Sequence, residues 1–230
     1  MKANSRSLFV HVLAVVATLT LGLLLTPSLA WADTYIVEVS KSGENESRSE
    51  TWLGADRLAV VSDDSTVIYR GDLNKLYIVR HAQKSTLVVN LPFDLASIMP
   101  PQMAEMMSQM VPEVTVTPTE ESREIAGYNA QRYDVTIEVP MGMTIESTAW
   151  ISTEAPVDWT LARQMSDEIT RSMSPQMKGV IEKMSSIEGF QLGSESTQNL
   201  MGQVITSSKM VESIEQKDAP AGIYDPPADY

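Results

Sequence analysis

Five methionines fall within the twelve residues 99–110, MPPQMAEMMSQM, of a 230-residue chain that has no cysteine. Thioethers are soft ligands suited to Cu(I), so Met99, Met103, Met106, Met107 and Met110 form a candidate copper-binding cluster. The same five lie at i, i+4, i+7, i+8 and i+11, which is the spacing of one helix face. A second stripe follows at Met165, Met173, Met177 and Met184, again at helical spacing. Neither stripe contains a histidine, and one composition explains both as apolar helix faces spelled in methionine. Unbranched and polarisable, methionine suits a surface that repacks around a flexible apolar ligand. An adaptable lid is therefore the leading reading, copper binding the alternative, and no metal ligand is assigned.

Other chemistry is scarce. His11 lies in the N-terminal leader described below, which leaves His81 as the histidine of the mature chain. Without cysteine, no Cys–His nucleophile and no cysteine-rich zinc site can be built, and the H-E-x-x-H string is missing too. A Ser-His-Asp triad would need His81, which sits in a strand pattern, and no nucleophile-elbow string occurs. Glu120-Glu121 and Asp63-Asp64 are pairs that could exchange protons. In turns of so acidic a chain they read as solvated surface. Trp52, Trp150 and Trp159 could line a carbohydrate or lipid cleft, although aromatic residues in strands more often fill a core. The expectation is a protein without catalytic residues or cofactor.

Location follows from the ends and the charge. Lys2 and Arg6 precede an apolar run from Val12 to Leu25, Thr26-Pro27-Ser28 breaks it, and Ala30-Trp31-Ala32 supplies a signal-peptidase site. Residues 1–32 read as a signal peptide and residues 33–230 as a single domain beginning at Asp33. A retained anchor is the alternative. Removing the leader leaves 15 Lys and Arg against 30 Asp and Glu. That balance argues against nucleic acid and against electrostatic binding to anionic membranes. The destination is the periplasm, or the medium if the cell has no outer membrane, and the mature chain is expected to be soluble.

The elements that would position these residues begin with short strands. Tyr35, Val37 and Val39 alternate with polar neighbours, and Arg48–Leu53, Arg57–Ser62, Val67–Arg70, Leu76–His81 and Thr86–Leu91 continue the series. A strand about every ten residues, separated by turn residues, is an antiparallel meander. Residues 93–111 take helical spacing, interrupted by Pro100-Pro101. Strands resume at Val114–Thr117, Tyr128–Val139 and Met143–Ser152, the last two joined through Pro140-Met141-Gly142. Residues 158–187 form the longest helical stretch, which Pro175 would kink or split at Ser174. A last strand spans Gln203–Ile214 before a Pro-rich tail. Helices inserted into an antiparallel sheet cover one of its faces.

Five strings sharpen this order: "TWLGADRLAV" (51–60), "IYRGDLNKLYIVRHAQKSTLVVNLP" (68–92), "EIAGYNAQRYDV" (124–135), "GF" (189–190) and "PAGIYDPPADY" (220–230). With them the chain resembles the LolA-like superfamily, and within it a group of exported bacterial proteins of unassigned role. The resemblance implies an α+β fold, a large curved antiparallel sheet forming an unclosed half β-barrel, with helices packed in its concave face. It also implies a cavity for acyl chains of lipids or lipoproteins. The lipobox cysteine of the lipoprotein members is missing here, and no functional residue of the lipoprotein carriers matches a position of this chain.

The resulting expectation is a non-enzymatic envelope protein that binds or carries an apolar ligand such as a lipid or an acylated lipoprotein. Leu58, Val60, Tyr77, Val79, Leu87 and Val89 are expected on the sheet side of the cavity, and Met103, Met107, Met173 and Met177 on the lid. A filled-core interaction or sensor module, working through its acidic surface on an envelope protein partner, is the alternative from another class. A continuous apolar cavity would favour the carrier, and a close-packed interior the module.

Overall fold

A computed structural model describes residues 32–93, 100–109, 111–140, 143–173, 178–200 and 203–230. Six strands come first: β1 (Asp33–Ser42), β2 (Asn45–Leu53), β3 (Arg57–Ser62), β4 (Ser65–Arg70), β5 (Lys75–Arg80) and β6 (Ser85–Asn90). Helix α1 (Pro101–Gln109) precedes β7 (Glu113–Ile125), β8 (Tyr128–Val139) and β9 (Met143–Ser152). Helices α2 (Trp159–Met173) and α3 (Lys178–Ser185) lead to β10 (Phe190–Leu200) and β11 (Gln203–Lys217).

All eleven strands join one antiparallel sheet in the order β6-β5-β4-β3-β2-β1-β11-β10-β9-β8-β7. The first six step outward from the centre, and the last five step back from the far edge until β11 pairs with β1. Consecutive strands β6 and β7 therefore end up on opposite edges. Turn chemistry supports this order. Ala126 and Gly127 both take positive φ, 51° and 84°, the two-residue turn that matches strand twist. Asp158 caps α2 by accepting the Leu161 N–H at 2.9 Å. Pro101 opens α1 at the first helical position, where its missing N–H costs nothing.

The sheet curls. Arg123 near the end of β7 reaches Met210 on β11 at 3.3 Å, although three strands lie between them in the sheet order. The face on which they meet is the inner one. Ile36, Leu53, Tyr69, Leu76 and Val89 lie on the opposite face, since Met210 pairs with Val39, which alternates with Ile36 along β1; α2 packs Leu161, Ala162, Met165 and Ile169 onto them. Two further clusters lie one on each face, the first on the side of Ile36 and the second on that of Met210. Val114, Val135, Ala149 and Ile151 are covered by Val180 and Ile187 beside α3. Trp52, Ala59, Ile68 and Val79 are covered by the C-terminal tail through Ile223, Tyr224 and Tyr230. Tyr224 donates to Asp33 at 2.9 Å under the Arg57 guanidinium, and Arg70 holds Asp225 at 2.6 Å.

An unclosed half-barrel of the α+β class is thus present, with a refinement. α2 and α3 lie side by side on one face, where Arg163 and Asp167 bond Ser185, and the face on which Arg123 meets Met210 is the other. Of the expected 158–187 stretch, α2 ends at Met173 and α3 begins at Lys178; residues 174–177, where the break at Ser174 was expected, lie outside the described residues, as do 94–99, where the first helical stretch was expected to begin. The turn at 141–142 and most of the leader also lie outside. Two strands differ from expectation. β7 runs to Ile125 rather than Thr117, and β10 was not anticipated. FQLGSESTQNL has almost no apolar alternation, because much of β10 faces solvent on the inner side.

Candidate binding groove

The two faces of the sheet are unlike. Beneath α2 the sheet is apolar and closed: Met165 is 2% exposed and Leu76 2%. Polar pins hold the helix there. Tyr69 on β4 donates to Glu168 at 2.6 Å, and its phenol is pushed up to about 12, first by burial and then by that carboxylate. Arg163 caps the loop after α3, donating to the carbonyls of Ser185 at 2.7 Å, Ile187, and Gly189 at 3.2 Å. Asp167 accepts from Ser185 at 2.9 Å.

On the opposite face, along β8–β11, the sheet is open, a concavity of about 760 Å³. Strand register builds its floor in rows. Arg132, Trp150, Gly193 and Met210 are successive cross-strand partners; so are Asp134, Thr148, Glu195 and Ser208, and then Thr136, Glu146, Thr197 and Thr206. Only the first row is partly apolar. The next two place hydroxyls and carboxylates on every strand, and Lys41 extends the second row onto β1.

Over the first row of the groove lies one arginine. A register break between Pro118 and Ser122 bends β7 inward, bringing the Arg123 guanidinium to 3.9 Å over the Trp150 ring. Its Nη2 donates to Glu195 at 2.9 Å. Gly193 makes room for this arrangement, since a Cβ there would stand 2.5 Å from the Met210 sulfur. The fit is incomplete: Arg123 Nε and Trp150 Nε1 are both buried without a hydrogen-bond partner among the described residues. Beside it, Arg132 bonds Glu121 at 2.7 Å and Asp134 at 2.9 Å, and these two carboxylates hold its guanidinium further above its ordinary value.

The residues nominated from sequence are distributed differently. Leu58, Val60, Leu87 and Val89 share the face under α2, by their pairing with Leu53, Val67, Ile78 and Leu76. Tyr77 and Val79 do not. They lie on the other face with Ile68 and Thr66, and Val79 is 0% exposed in the tail-covered cluster. The error has a simple origin. LYIV in β5 is apolar at both parities, so alternation alone cannot phase that strand. Met103 is 46% exposed on α1. Met177 and the side chains of Met107 and Met173 lie outside the described residues. His81 is engaged by Thr66 at 3.0 Å and edge-on to Tyr230. Sequence reasoning missed Arg123, Glu195 and Met210. "EESREIAGYN" reads as an exposed hairpin, and nothing local says that its arginine turns inward.

Residues 35–230 match the family described as Domain of unknown function (DUF4412), and the chain belongs to it. No curated protein matches the chain. Among solved structures it is similar to MucB, at 11% identity and a TM-score of 0.41, covering 87% of this chain and 59% of that one. It is also similar to the Pseudomonas aeruginosa MucA/MucB complex structure, at 11% identity and a TM-score of 0.38, covering 84% and 54%. A DUF1329 family protein from Desulfovibrio piger ATCC 29098 follows at 9% identity and a TM-score of 0.29, covering 90% and 95%. The chain thus spans a little over half of the MucB chains it matches. Likenesses this loose leave function to the residues themselves.

Proposed function

We propose that this DUF4412 member is an exported, non-enzymatic binding module that engages a polar ligand or envelope partner through the open groove on β8–β11. The observation that carries it is the contrast between the two faces of the sheet. On the apolar face α2 fills the surface with Leu161, Met165 and Ile169; on the opposite face, along β8–β11, the groove is open and lined by threonine, serine and carboxylate side chains. An acyl chain gains by leaving water for an apolar wall, and the exposed wall supplies hydroxyls and ions instead. Acyl carriage would require α2 to leave its seat, breaking the Tyr69–Glu168 bond and the Arg163 contacts together. The pattern of residues 1–32 supports export, and the LolA-like resemblance agrees with an envelope role. Against catalysis stands the engagement of His81 by Thr66 and Tyr230.

Two measurements on the full mature chain test this. Native mass spectrometry of protein purified from its own envelope should show no bound acyl chain, and a fluorescent fatty acid should not be taken up. A photo-crosslinking residue at Thr148 should capture a partner that the same residue at exposed Ser122 does not. Stoichiometric fatty-acid uptake would restore the carrier reading and overturn this one.

A further inference from the structure

The two edges of the sheet are protected unequally. β7 has every common guard of an edge strand. Pro118 lies in it and Pro112 just before it, the ladder breaks after Pro118, Glu113, Glu120, Glu121 and Glu124 are exposed, and residues of α3 flank it across a groove. β6, Ser-Thr-Leu-Val-Val-Asn, has none of these within the strand among the described residues, and Pro92 stands two residues past its end. It contains no charge and no proline, and its register with β5 is unbroken from Ser85 to Asn90. Leu87 is 52% exposed on one face and Val88 48% exposed on the other.

The free hydrogen-bonding groups of β6 can be assigned. Leu91 N–H donates to the Asn74 carbonyl at 2.8 Å, so Leu91 points toward β5. Antiparallel alternation then turns Ser85, Leu87 and Val89 toward β5 and leaves the backbone of Thr86, Val88 and Asn90 facing outward. We propose that β6 is a self-association edge, pairing antiparallel with β6 of a second copy about a two-fold axis at Val88. In that register Val88 meets Val88 of the second copy on the tail-covered face, Leu87 meets Val89 on the face under α2, and Thr86 meets Asn90. No charge opposes a like charge within the pair. A second copy is the fitting occupant because the chain has a net charge of −13, which makes most approaches between copies repulsive, whereas this strand is neutral and self-complementary. The proposal is independent of the groove on β8–β11.

The absence of native cysteine makes the test direct. The mature chain should sediment as a concentration-dependent dimer. Val88→Cys should then form a disulfide-linked dimer on mild oxidation, while Thr115→Cys on the guarded β7 edge should not. Val88→Lys, which places two ammonium groups together on the axis, should sediment as a monomer with an unchanged circular dichroism spectrum. A wild-type chain that stays monomeric at every concentration overturns the proposal. So does a dimer that survives Val88→Lys and leaves Val88→Cys unlinked.

Discussion

The two sheet faces serve different purposes in this molecule, and the strands differ accordingly. Under α2 the strands contribute Ile36, Leu53, Leu76 and Val89, with the helix supplying the opposing surface. Along β8–β11 the opposite face carries Asp134, Thr148, Glu195 and Ser208 in one cross-strand row, with no helix above it among the described residues. Burial stabilises the first face in proportion to the apolar area withdrawn from water. Beneath the groove, backbone ladder bonds and the apolar cluster under α3 on the other side of the same strands hold the sheet. Stability should therefore reside mainly in one face and recognition in the other.

The largest effect expected from this division is at Met165. Truncation to alanine removes a thioether chain that is 2% exposed and leaves a cavity between α2 and the sheet. Met165→Ala should lower unfolding free energy by about 2–5 kcal/mol, measured by urea denaturation, with Thr148→Ala in the groove changing it by less than about 0.5 kcal/mol. Equal losses at the two positions would abolish the distinction between the faces.

A smaller effect belongs to the pin between α2 and β4. Tyr69→Phe removes the donor to Glu168 and should cost about 1.5–3 kcal/mol, as hydrogen bonds to charged groups do. The pH dependence has a definite sign. The folded phenol is raised to about 12 from 10.0, so above pH 10 the unfolded chain releases a proton that the folded chain keeps. Tyr69 therefore stabilises fully below pH 10 and loses that contribution progressively between pH 10 and about 12. Alkaline unfolding curves of Tyr69→Phe should be flatter than wild type across that window. Parallel curves would mean that the phenol is not held against α2.

How far this was legible in the sequence depended on which physical signal each element carries. β8, with Tyr133, Val135 and Ile137 on one face, announces itself by alternation because that face is covered and the other is open. β10 announces nothing, since Glu195 and Thr197 face the groove and the alternation that marks a half-buried strand is lost. β5 fails in the opposite way: Leu76 and Val79 are both fully covered, one by the cluster under α2 and one by the tail. A strand apolar on both sides has no phase, and Tyr77 was consequently placed on the wrong face. The tail itself reads as a Pro-rich end. Its role as a strap depends on Tyr224 meeting Asp33, 191 residues away, which no local pattern encodes. The same limit hid Arg123, whose inward turn comes from a bulge.

That arginine is where the comparison can be sharpened most finely, because its expected contribution to stability is close to zero. A guanidinium over an aromatic face contributes about 0.5–2 kcal/mol, and its ion pair with Glu195, half in water, about 0–1 kcal/mol. Against these stands a buried Nε without an acceptor, which costs about 1–3 kcal/mol. Arg123→Met keeps the apolar stem and removes all three contributions at once, so its unfolding free energy should stay within about 1 kcal/mol of wild type. The change should instead appear as greater access of a neutral quencher to Trp150, isolated by subtracting the signal of Trp150→Phe. A loss larger than about 3 kcal/mol would show that Arg123 is a structural tie between β7 and β10. Near-neutral stability with an uncovered Trp150 would fit a residue retained for what the groove does, because an interaction that contributes little to folding and leaves two donors unsatisfied is poorly explained by folding alone.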